Sequence, residues 1–164
     1  MKIPGIASSP FAFLRKKWGK HWAAAWYGRV SVECLFGNHI KTIEIINRMF
    51  EEDESLKEDG HLKLILGVSY YRLGNSEEAL KTFALGTALT RRNPPTQTVL
   101  RQFAKWEMGI YAELLKLQSE ESKAQEILGY IEESYGDVLP LGEYGLDKRK
   151  EIGKWRLFWK KTAG

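Results

Sequence analysis

A chain of 164 residues, 43% hydrophobic and 28% charged, is long enough for one domain with a real core. Cys34 is its only cysteine, which excludes an intramolecular disulfide and a thiolate metal cluster and fits a reducing, cytoplasmic setting. No apolar run reaches the roughly 18 residues of a membrane span, and Arg15-Lys16-Lys17 interrupts the apolar stretch Phe11-Ala12-Phe13-Leu14, so no secretory leader is read at the N-terminus.

The first helix is predicted over about residues 11–36, with Leu14, Trp18, Trp22, Ala25 and Trp26 recurring every three or four positions. Gly37-Asn38 stops it, since both residues tolerate the left-handed backbone of a helix end. A second helix follows over His39 to Glu52, and Glu58-Asp59-Gly60 turns the chain into a third, His61 to Leu73. Gly74 ends that helix, and Ser76 is expected to cap a fourth, with Glu77 and Glu78 in its positive first turn. Pro94-Pro95 cannot continue a helix. Thr96 or Thr98 then opens a fifth to Leu117, and Ser119 to Tyr135 forms a sixth that ends at Gly136-Asp137. Residues 139–146 read as a loop, and 147–161 as a last helix with Ile152, Trp155 and Trp159 on one side. No stretch alternates as a strand would, so the expected fold is all-α.

Within this series the spacing of side chains repeats. Lys63, Leu66-Gly67, Tyr70, Gly74, Ala79, Phe83 and Gly86 form one set of intervals, and Met108, Tyr111, Ala112, Leu115, Ala124, Leu128 and Ile131 reproduce it, the Gly74 place aside. Upstream, Ala25-Trp26-Tyr27, Gly37-Asn38, Thr42, Ile46 and Met49 hold corresponding places. That copy departs from the pattern: Arg29 and Glu33 stand where large apolar residues are expected, and Val30 where a small one is. The pattern resembles the tetratricopeptide repeat (TPR), a helix–turn–helix unit of about 34 residues. Small residues let two helices approach, and larger ones fill the space between them and the next pair. The resemblance covers residues 23–138 and implies a short right-handed stack of about three helix pairs. Residues 1–22 and 139–164 would flank it as basic, tryptophan-rich segments within a single domain, 1–164.

The resemblance implies a non-catalytic adaptor or scaffold that binds another protein or peptide segment in a groove lined by the first helix of each pair. Projected onto this chain, that groove takes Tyr27 from the first copy, Leu64, Val68, Tyr71 and Arg72 from the second, and Trp106 and Lys116 from the third. Leu64, Val68, Tyr71 and Trp106 would form an apolar floor, with Arg72 and Lys116 at its edge facing acids on the partner. The inner positions lack the lysines and asparagines of a carboxylate clamp, so a chaperone tail is not the expected ligand. The protein's own terminal helix is an alternative occupant of the same face.

Charge runs in blocks around the net +4. Residues 1–30 carry six basic residues and no acid, and 139–164 carry seven basic against three acidic. Both ends interleave tryptophan with lysine and arginine. They read as capping helices of the stack; the alternative is peripheral attachment to an anionic membrane surface, with nucleic acid a less favoured partner. Catalysis, cofactors and metals are not expected. His21, His39 and His61 form no metal-binding pair on one helix. Glu51, Asp53, Glu120 and Glu121 read as solvated, and Cys34 as a small buried or groove residue rather than a nucleophile.

Overall fold

The computed structural model describes residues 21–139 and 141; within its first helix, side chains are described for Trp26 and from residue 29 onward. The described residues are all-α and form six α-helices: α1 (His21–Leu35), α2 (His39–Glu52), α3 (Gly60–Arg72), α4 (Ser76–Arg92), α5 (Thr98–Leu117) and α6 (Glu121–Tyr135). A 3-10 turn, Glu54–Glu58, joins α2 to α3. No strand occurs among the described residues. Apart from residues 21, 22, 139 and 141, the segments expected to flank the stack lie outside the described residues, as does the last helix expected over 147–161.

Consecutive helices pack as antiparallel pairs: α1 with α2, α3 with α4, α5 with α6. Each pair is closed by the same device. Gly37, Gly74 and Ser119 adopt positive φ of 81°, 84° and 60°. The next amide donates back across the helix end, Asn38 to the Glu33 carbonyl, Asn75 to that of Tyr70 and Glu120 to that of Leu115. A bond spanning fewer residues accompanies each, from the amides of Gly37, Gly74 and Ser119 to the carbonyls of Cys34, Tyr71 and Lys116. This double bond pattern satisfies carbonyls that a helix end leaves open. Glycine accepts the left-handed backbone freely; Ser119 holds it with a side chain in place.

The tightest pair is α3 with α4. A β-carbon on Gly86 would lie 2.9 Å from the Leu64 backbone nitrogen, so only glycine permits this separation. Stacking continues through the first helices, α1 against α3 and α3 against α5, and from each second helix to the following first one. Helix α3 is therefore central, and it buries an unbroken run from Leu64 to Ser69. A helix apolar all round belongs in an interior.

Local chemistry adjusts the expected boundaries slightly. Asn75, not Ser76, caps α4, its Oδ1 accepting from the Glu78 amide at 3.3 Å. Asp59 caps α3 by accepting from the Leu62 amide at 2.9 Å, which starts that helix at Gly60. Helix α5 begins at Thr98 without a side-chain cap. Glu33 is buried although charged: Asn38 Nδ2 donates to one carboxylate oxygen at 2.6 Å and Lys41 Nζ to the other at 3.1 Å. These bonds replace the apolar contact that the repeat pattern would place there.

Candidate functional site

The side chains that join the three first helices are polar. His61 stands at the start of α3, with Ser69 two turns further along the same side. Ser31 Oγ, on α1, lies 3.0 Å from His61 Nε2. On the ring's other side, His61 Nδ1 meets Glu107 Oε1 of α5 at 3.2 Å. That separation is an ion-pair distance without the alignment of a hydrogen bond, and Glu107 Oε2 has no hydrogen-bond partner. Further along, Cys34 Sγ of α1 lies 3.8 Å from Ser69 Oγ, which also meets His39 Nδ1 at 3.3 Å. A ring contact between His61 and Phe103, with centroids 5.6 Å apart, walls one side.

Burial sets the electrostatics. Glu107 is wholly enclosed, and loss of hydration pushes its carboxyl up to about 7, against the opposing pull of His61. Asp59, at the start of α3, is also raised by burial, with the Leu62 amide countering. Burial pushes the Cys34 thiol up to about 12, so it stays protonated and unreactive in the closed fold. His39 is lowered, by burial first and by the Arg72 guanidinium second.

Ser31, His61 and Glu107 meet the two distances of a nucleophile–base–carboxylate relay. The rest of such a site is missing from α1. Ser31 is mid-helix and buried, where backbone amides are committed to helix bonds and none can stabilise an oxyanion. What this arrangement can do is tie three helices together and exchange a proton. Among the described residues no group of three or more His, Cys, Asp or Glu could hold a metal ion, and no helix is long and apolar enough to cross a membrane.

The structure distributes the expected groove residues unevenly. Leu64 and Val68 are 0% exposed and do not form an open floor. Leu64 faces α4, where its side chain fills the space beside Gly86. Tyr71 is half-buried, with Arg72 over its ring at 5.5 Å, and Trp106 is half-buried edge-on to Phe103 at 6.2 Å. Arg72 and Lys116 are exposed. The Tyr27 side chain lies outside the described residues. Glu107, buried beside His61, is not among the carboxylates read as solvated from the sequence. A fully charged-type residue between Trp106 and Met108 was the available signal. No family model, curated protein or solved structure matches this chain.

Proposed function

We propose that this protein is a non-catalytic interaction module, resembling a short TPR stack, that binds a segment of another protein on the side formed by its first helices. The observation that supports this reading is the order of packing. Helices α1, α3 and α5 adjoin one another in sequence, and each pair is closed by the same left-handed turn. In arrays of stacked helix pairs the first helices commonly form an extended binding surface; here its accessible part is the rim around Tyr71, Arg72, Trp106 and Lys116. Tyr71 and Trp106 supply partly exposed aromatic area on two of these helices, and Arg72 and Lys116 supply accessible charge. Aromatic and arginine side chains concentrate binding energy in interfaces.

The test uses two tagged variants of the full chain in affinity recovery followed by mass spectrometry. Tyr71→Ala with Trp106→Ala removes the aromatic area; Arg72→Glu with Lys116→Glu reverses exposed charge and leaves the core untouched. Each is expected to lose specific partners while keeping its helical circular dichroism. Folded variants that recover every wild-type partner would overturn this location for the site.

A further inference from the structure

We propose that Ser31, His61 and Glu107 form a proton-operated clasp: the protonated group holds α1 against α3 and α5, and loss of the proton releases α1 from the stack. The inference concerns the free protein and stands whether or not a partner binds.

Geometry carries it. One imidazole touches a side chain from each neighbouring first helix, Ser31 at 3.0 Å and Glu107 at 3.2 Å. Glu107 is 0% exposed and its Oε2 has no hydrogen-bond partner. As a neutral acid, Glu107 places only uncharged oxygens beside His61 Nδ1, which are tolerable in a dry site. As a carboxylate, it strands a charged oxygen away from water, which is far more costly.

The surroundings give that charge little relief. Among the described residues, the titratable groups acting on Glu107 are His61 and Asp59 from α3, Cys34 from α1 and Tyr135 from α6. Burial keeps the thiol and the phenol protonated, and Asp59 is itself an acid, so it opposes a second negative charge. Among the described residues, histidine alone can balance the carboxylate. Beyond that, the charge must reach water.

Among the described elements, α1 offers the route to water. Among the described elements, the interfaces of α1 with α2 and α3 are smaller than those of α3 with α4 and of α5 with α6. Local opening follows the weakest packing. Displacing α1 withdraws Ser31 and Cys34 and hydrates the carboxylate without dismantling the α3–α4 pair.

Cys34 reports this opening directly, because it is the only cysteine, sits on α1 and is 2% exposed. Its labelling by a thiol reagent would be followed from pH 5.5 to 8.5, divided by the rate for an unstructured cysteine peptide in the same buffer. The corrected rate is expected to rise about tenfold or more through neutrality, and to stay flat in Glu107→Gln. Ser31→Ala should label faster at every pH while keeping the wild-type slope. Amide exchange supplies a readout that needs no variant: amides 29–35 should gain exposure above neutrality, while those of 64–69 should not. A flat corrected rate in the wild type, parallel slopes in wild type and Glu107→Gln, or equal loss of protection across all helices would each overturn the clasp.

Discussion

A β-carbon built on Gly67 of α3 would lie 2.6 Å from Cδ1 of Phe83 on α4, closer than any real side-chain contact allows. Gly67 is thus the seat of the Phe83 ring, which in turn stacks on Tyr111 of α5 at 5.1 Å between centroids. One missing side chain sets the separation of a pair and the position of the ring that joins it to the next.

Gly67→Ala is therefore expected to destabilise the protein by roughly 1–3 kcal/mol, and Gly67→Leu by more, because overfilling a packed contact forces backbone movement. Gly129 on α6 is the matched control: it is exposed, and nothing lies within 4 Å of the β-carbon it would acquire. Gly129→Ala should stabilise by about 0.5–1 kcal/mol, as glycine in a helix interior costs backbone entropy. Thermal melts of the three variants check both signs together. An unchanged Tm for Gly67→Leu would refute the contact.

The three helix stops make a second set. Ser119 holds φ 60° where Gly37 and Gly74 hold 81° and 84°. A left-handed residue with a side chain carries a penalty of roughly 1–2 kcal/mol, part of which glycine returns as chain entropy. Ser119→Gly is expected to raise stability by up to about 1 kcal/mol, and Gly74→Ala to lower it by about as much. Urea unfolding of the two variants should move in opposite directions; movement in the same direction would show that the turns are not equivalent.

Much of this architecture was legible because helix stops and caps are local chemistry. Helix α2 runs from His39 to Glu52, bounded by Gly37-Asn38 before it and an acidic turn after it. Gly67 and Gly86 could be read as close approaches from their places in the spacing. The groove was not legible for the same reason that α3 is central. That helix buries residues on every side, so its apolar pattern marks no single face, and Leu64 and Val68 could not be assigned to an outer one. The clasp was hidden by distance along the chain: Ser31 and His61 are 30 positions apart, and Glu107 follows on a third helix. No local motif links residues that only tertiary packing brings together. A glutamate between Trp106 and Met108 could be read as polar within an apolar run, but nothing nearby named its partner.

Stability should depend on pH through Glu107. Its carboxyl titrates at about 7 in the fold against an ordinary 4.5, so the folded chain holds the proton more tightly between those values. The stabilisation is present in full below 4.5 and is lost as pH rises through about 7. A change of this size corresponds to on the order of 3 kcal/mol. Urea midpoints are expected to fall from pH 5 to pH 8 in the wild type and to fall less in Glu107→Gln, whose side chain cannot ionise. If both proteins decline equally, other groups control the pH response.

Ser31 is expected to resist acylating and phosphonylating probes despite its 3.0 Å approach to His61. A reactive serine needs its oxygen open to a substrate, a base that accepts its proton, and donors aimed at the oxyanion that forms. Among the described residues, Ser31 meets the second condition alone. It is buried mid-helix on α1, its own amide and those around it belong to the helix, and the imidazole beside it meets a carboxylate without hydrogen-bond alignment. A fluorophosphonate probe applied to the native chain should leave residue 31 unmodified at pH 7 and pH 8, as read by peptide mass spectrometry. Ser31→Ala should instead lower the Tm, because it removes the hydroxyl that ties α1 to His61; a buried bond of this kind is worth about 0.5–1.5 kcal/mol. Stoichiometric modification of Ser31, abolished by His61→Gln in a protein that remains folded, would overturn the proposed interaction module in favour of a hydrolase and turn the clasp into its reaction centre.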